Sequence, residues 1–109
     1  MIWRIHYTND AQEDLQGIYD YIAGILLAPE AAALQTNRIM DAADSLGHMP
    51  LRHRLHEHDP WHSMGLRFLP VDNYVLFYLP DELQGTVTIV RIMYGSRDFP
   101  SHLGESSMP

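Results

Sequence analysis

Thr86-Val-Thr-Ile-Val-Arg91-Ile-Met-Tyr94-Gly95-Ser-Arg97-Asp98 is the stretch whose reading decides the fold. Its first nine residues are mostly Thr, Val and Ile. Such β-branched side chains suit a pleated, half-buried surface and predict a strand over 86–94. The stretch then sets Tyr94, Arg97 and Asp98 around a glycine. An aromatic, a cation and an acid delivered at a strand end form the rim of a candidate binding site.

Upstream of this strand, Tyr74–Leu79 is nearly all apolar, as a central strand requires, and Pro80–Gly85 reads as a turn. Gly65–Leu69 is a short strand, and Pro70-Val71-Asp72-Asn73 joins it to the next, since Pro presets φ and Asp and Asn tolerate turn geometry. Three strands linked this briefly predict an antiparallel meander. Residues 48–63 carry Pro50, Pro60 and five histidines without a clean period, and read as a long solvated loop. Before them, Ala32, Thr36, Ile39, Ala43 and Leu46 recur at helical spacing, with Pro29 in the first turn and Gly47 as the stop. Ala11, Leu15, Ile18, Tyr19, Ile22 and Leu26 give an earlier apolar stripe, opened by the cap-type residues Thr8, Asn9 and Asp10. The short joint at 27–30 predicts an antiparallel helical hairpin. At the start, Trp3, Ile5 and Tyr7 alternate with Arg4 and His6, predicting a strand with one buried face.

The fold class is therefore α+β: an N-terminal strand, an antiparallel helical hairpin, then a three-stranded antiparallel meander forming one sheet. The helices cover one sheet face, and the other is open unless something covers it. One domain spans 1–100, and residues 101–109, rich in Ser, Gly and Pro, predict a flexible tail.

The 109 residues include seven Arg and no Lys against fourteen acids, a net charge of −7. That balance repels phosphate backbones unless the arginines gather on one face, and it favours a protein partner. Five of the seven arginines lie between Arg52 and Arg97, so the C-terminal part is the less acidic. There is no cysteine, which removes disulfides and thiol chemistry and suits a reducing cytoplasm. No apolar run approaches the roughly 20 residues that span a bilayer, and no secretory signal is visible.

Arg67, Arg91 and Arg97 lie in or beside sheet strands. Converging guanidiniums hold phosphate or carboxylate by bidentate hydrogen bonds, whereas Arg67 and Arg91 are equally suited to pair with acids of this chain. Tyr94 is a candidate acid, base or stacking platform, or simple packing. Asp98 is a candidate partner for Arg97. His56-Glu57-His58-Asp59 are four donors in a row, but neighbours in a loop point apart and wider spacings are usual, so no metal is assigned. Arg52-His53-Arg54 is a short basic island. Glu13, Asp14 and Asp20 read as the solvated face of the first helix. Leu66, Phe68, Met93 and the hairpin are candidates for an apolar partner surface.

Three segments carry a family resemblance. Tyr7-Thr8-Asn9-Asp10-Ala11-Gln12-Glu13-Asp14-Leu15, Asn73-Tyr74-Val75-Leu76-Phe77-Tyr78 and Arg91-Ile-Met-Tyr94-Gly95-Ser-Arg97-Asp98 resemble, in the right order, the RelE/ParE superfamily of type II toxins. The resemblance implies a cytoplasmic toxin, sometimes tied to plasmid stabilization, that needs no cofactor. It also implies a cognate antitoxin as partner, with operator DNA touched only through that antitoxin. RelE-like members cut mRNA on the ribosome with a cluster of Arg and Lys, whereas ParE-like members lack that set and poison DNA gyrase. The RelE pattern has an arginine after the middle-strand tyrosine, where this chain has Val75, and there is no Lys to complete the cluster. Arg91 fits the ParE version of the last strand, Arg97 is common to both branches, and Tyr94 stands where ParE-like members often carry His. The implied function is ParE-like inhibition of gyrase without catalysis, with Arg91, Arg97, Tyr94 and Asp98 binding the target. The alternative is a metal-free endoribonuclease using Arg67, Arg97 and Tyr94.

Overall fold

The structure is a computed structural model that describes residues 2–95. Arg97, Asp98 and the tail at 101–109 lie outside the described residues. The elements run β1 (Arg4–Tyr7), α1 (Asn9–Asp20), α2 (Pro29–Ser45), a one-turn α3 (Trp61–Met64), β2 (Arg67–Val71), β3 (Tyr74–Asp81) and β4 (Thr86–Tyr94). They build one four-stranded sheet in the order β1-β4-β3-β2. The meander β2-β3-β4 is antiparallel as predicted, and β1 joins it beside β4 in parallel.

Local chemistry explains the helix ends. Thr8 caps α1, its hydroxyl accepting the Ala11 N–H at 3.0 Å, which satisfies one of the free donors at a helix start. Pro29 opens α2, where its missing N–H costs nothing. Between them, Tyr21–Ile25 continues α1 as a π-turn, with the Leu26 N–H on the Tyr21 carbonyl at 3.0 Å. The wider turn takes downstream residues out of the 3.6-residue period. Leu26, the last residue of the predicted stripe, is thereby exposed.

The two helices pack on one face of the sheet. Ala11, Ile39, Ala43 and Leu46 meet Leu76, Tyr78, Val87, Ile89 and Ile92 in the principal core. Strict alternation along β4 would send Arg91 inward after Val87 and Ile89. A bulge prevents this: Tyr78 pairs with Ile89 and Phe77 with Arg91, leaving Val90 as the extra residue. Ile92 then takes the inward place.

The opposite face is not open. Leu66, Phe68, Val75 and Phe77 form a second buried cluster, joined by Trp61 from the long loop. That loop is more than solvated chain. His56 is only 4% exposed. It receives the His58 N–H on Nδ1 at 3.1 Å, and its carbonyl accepts His62 Nδ1 at 2.9 Å. Main-chain bonds from His56 N–H to the Leu66 carbonyl and from Phe68 N–H to the Arg54 carbonyl lay the loop along the β2 edge. β2 itself runs two residues further than predicted and includes Pro70, which an edge strand tolerates. The turn is reduced to Asp72 and Asn73, with Asp72 at φ 57°.

Candidate functional site

β1 pairs only with Thr86–Ile89 of β4. Past Ile89 β4 stays paired with β3 as far as Tyr94, but its β1 side has no strand partner, and α1 crosses there. The Thr8 N–H donates to the Ile89 carbonyl at 3.0 Å and the Thr8 hydroxyl to the Val90 carbonyl at 2.9 Å. Nearly two turns on, Asp14 accepts the Ile92 N–H at 2.9 Å. The same carboxylate receives Arg91 in a fork, Nε at 2.7 Å and Nη2 at 2.9 Å. Arg91 is thus held by an acid of its own chain, and hydrogen bonding to Asp14 raises its already high pKa. Asp10 and Glu13 add to that field.

Beyond this pair α1, the start of α2 and the ends of β3 and β4 enclose a groove of about 930 Å³. Ile18, Tyr21, Ile22 and Leu26 form its helical wall, Tyr74, Ile92, Met93 and Tyr94 its sheet wall, and Glu13 and Gly17 stand at its side. Tyr94 is 72% exposed and meets Tyr74 edge-on, with ring centroids 5.4 Å apart. Burial, then the neighbouring Tyr94 and Tyr21, pushes the Tyr74 phenol up. Ile25 and Leu27 at the hairpin tip are also exposed, so apolar surface continues past the groove mouth.

Arg67 sits elsewhere. It pairs with Tyr78 in the β2–β3 register, whereas Tyr94 pairs with Tyr74. The two pairings are offset by four positions of β3, about 13 Å along the strand at ~3.3 Å per residue, and lie on opposite sides of it. Arg67 Nη1 donates to the His53 carbonyl at 2.6 Å, while its Nε is buried without a partner. Tyr78 donates to the Pro50 carbonyl at 2.6 Å, and burial drives its phenol pKa far up. His53 is held below 6.5, first by burial and then by Arg52 and Arg67. Arg54 faces Glu57 at 3.8 Å.

Among the described residues, then, Arg91, Tyr94 and Tyr74 gather at one groove and Arg67 lies at the other end of β3. Arg97 and Asp98 lie outside the described residues. No group of three or more His, Cys, Asp or Glu among the described residues is placed to hold a metal ion. Of the apolar candidates, Leu66 and Phe68 are buried beneath the loop and offer no partner surface, while Met93 lines the groove. Asp14 and Glu13, which read as a solvated helix face, are the groove's acidic members. Asp14 stands 77 positions from Arg91, and no local pattern announces such a pair.

Comparison with known families decides the identity. The model for "ParE toxin of type II toxin-antitoxin system, parDE" matches residues 5–99. The chain belongs to the ParE toxin family. No curated protein matches this ParE-family chain. Among solved structures it is similar to a chain of the chromosomal ParDE system from P. aeruginosa, with a TM-score of 0.71 and 20% identity over 87% of this chain and 98% of that one. It is similar also to a chain of the RelBE2 toxin–antitoxin complex from Mycobacterium tuberculosis, with a TM-score of 0.62 and 22% identity over 86% and 92%. The archaeal RelE–RelB complex from Pyrococcus horikoshii gives a TM-score of 0.52 and 15% identity over 90% and 100%. These identities speak for a shared fold. No helix among the described residues of this ParE-family toxin is long and apolar enough to cross a membrane.

Proposed function

We propose that this toxin acts as a ParE-like inhibitor of DNA gyrase in the cytoplasm, by binding rather than by catalysis, and that a cognate antitoxin neutralises it. The observation that carries this reading is Val75. It is 5% exposed and packed in the second cluster with Leu66, Phe68 and Phe77, at the position where the RNA-cutting branch carries arginine. A side chain without charge or donor neither holds a phosphate nor stabilises charge developing on it. The antitoxin partner follows from the family and from the toxin–antitoxin systems among its structural relatives. Tyr94 at the end of β4, Arg91, which Asp14 holds in a fork, and Arg97 and Asp98, which follow in the sequence, are the residues proposed to meet the target. Any contact with operator DNA runs through the antitoxin.

The test is a supercoiling assay with purified gyrase, relaxed plasmid and increasing toxin, with and without antitoxin. Loss of supercoiling or trapped cleaved plasmid, reversed by antitoxin, is expected. Normal supercoiling in excess toxin, together with cut transcripts when toxin meets translating ribosomes, overturns the reading.

A further inference from the structure

We propose that Arg52, His53 and Arg67, where the chain leaving α2 meets the start of β2, form a binding site for a single phosphate-like oxyanion. Arg67 pairs with Tyr78 across the β2–β3 ladder, and Tyr78 belongs to the principal core beneath the helices. Directly opposed residues share a sheet face. Val75 belongs to the cluster on the other face. The site therefore lies on the helix side of the sheet, at its β2 edge, away from the position where the RNA-cutting branch carries its arginine.

Two bonds build it. Tyr78 donates to the Pro50 carbonyl at 2.6 Å, and Arg67 Nη1 donates to the His53 carbonyl at 2.6 Å. Together they clamp the 3-10 turn Pro50–Arg52 onto the sheet. His53 is thereby set edge-on to the Tyr78 ring, with centroids 6.3 Å apart. Arg52 Nε reaches His53 Nε2 at 3.4 Å. One histidine thus has a guanidinium on its ring and another on its carbonyl.

No acid answers these two cations. Among the described residues the ion pairs join Arg38 to Asp72, Arg54 to Glu57 and Arg91 to Asp14. Arg67 spends its bond on a neutral carbonyl, and its Nε is buried without a partner. Burial, then Arg52 and Arg67, hold His53 below 6.5. The same two guanidiniums oppose the burial that pushes the Tyr78 phenol up. No carboxylate enters either balance. In a chain of net charge −7 this is a local excess of positive charge.

Guanidinium N–H groups match phosphate oxygens in charge and geometry. An anion seated between Arg52 and His53 would also draw a proton onto the ring nitrogen that Arg52 now opposes, making His53 a further donor. The acidic chain repels long polyanions, so the expected ligand is a free or terminal phosphate rather than a nucleic-acid backbone. Nothing in the site depends on which target the toxin has.

The experiment titrates isotope-labelled full-chain toxin with sodium sulfate, a dianion across the range used, against sodium chloride at equal ionic strength. Histidine ring signals are followed by NMR from about pH 5 to 8. Sulfate should shift the His53 signals saturably and raise their titration midpoint, while exposed His6 on β1 responds only as it does to chloride. Arg52→Gln should bind sulfate about tenfold more weakly, having lost a charged donor. Arg4→Gln, the same charge change at an exposed position of β1, should bind as wild type does. If sulfate moves His53 no more than chloride does, or Arg52→Gln and Arg4→Gln bind alike, the cluster holds an adventitious ion only and the proposal is overturned. Inorganic phosphate and a short duplex DNA then separate the sources. Saturation by phosphate without a response to duplex supports the free or terminal group, and a duplex that saturates His53 below the phosphate concentration overturns that assignment.

Discussion

Removing Asp14 should destabilise the fold more than its place on an acidic helix suggests. Its carboxylate holds Arg91 through two bonds and the Ile92 N–H through a third. The side chains are 16% and 20% exposed, between the surface regime, where ion pairs contribute ~0–1 kcal/mol, and the buried one, where breaking a pair costs ~3–5 kcal/mol. Asp14→Ala should therefore cost about 2–3 kcal/mol, because it leaves a half-buried guanidinium without its acid and a strand N–H without an acceptor. At roughly 2.1 cal/mol/K of unfolding entropy per residue, that corresponds to a drop of about 10 °C in thermal midpoint. Arg91→Ala should cost less, near 1–2 kcal/mol, because Asp14 keeps the Ile92 N–H and turns its other oxygen to water. The double variant should show a coupling of roughly 1 kcal/mol. Thermal and urea unfolding of all four proteins measures this. If Asp14→Ala unfolds within ~0.5 kcal/mol of wild type, the pair is ornamental and the account of the β4 edge is wrong.

Tyr78→Phe should cost about 1–2 kcal/mol in urea unfolding, since it removes the donor to the Pro50 carbonyl in a buried site. Asp72, hydrogen-bonded by Arg38 and then Gln35, is held below its ordinary 3.8. Its folded pKa is depressed, so its contribution is present above 3.8 and is lost as pH falls through the lower folded value. The difference in thermal midpoint between wild type and Asp72→Asn should accordingly close on acidification. A two-dimensional NMR titration should find the His53 ring protonating below 6.5, with the associated stability present above that pH and declining beneath it. Gly17→Ala should raise stability by about 1 kcal/mol, because helix propensity improves and no atom stands in the way.

Much of this architecture can be read from local chemistry. The β-branched run at 86–94, the Thr8 cap and Pro29 each decide their neighbourhood within a turn or two, and the strands and helices fall where those signals put them. What escapes such reading depends on residues far apart. The bulge at Val90 breaks an alternation that looks regular from Thr86 to Arg91, because only the partner strand shows that Ile92 must replace Arg91 in the core. The loop at 48–63 has no period because it is neither helix nor strand along most of its length. Its Trp61 and His56 nevertheless complete a core that belongs to β2 and β3. The groove is legible in part, through Arg91, Met93, Tyr94 and the apolar hairpin. Its acidic members, Glu13 and Asp14, resemble any acids near a helix start until Asp14 is seen holding Arg91.

The second core also constrains how this lineage can change. Val75 shares a dry layer with Phe68 and Phe77 beneath the loop. A single-codon step to arginine there would bury a guanidinium among aromatic rings and lift the loop from the sheet, at a cost of several kcal/mol. Acquiring the charge pattern of the RNA-cutting branch would first require dismantling that layer, with the chain passing through unstable intermediates. Packing on the far face of the sheet thus acts as a ratchet, holding position 75 apolar in any descendant of this sequence that keeps the layer of Phe68 and Phe77.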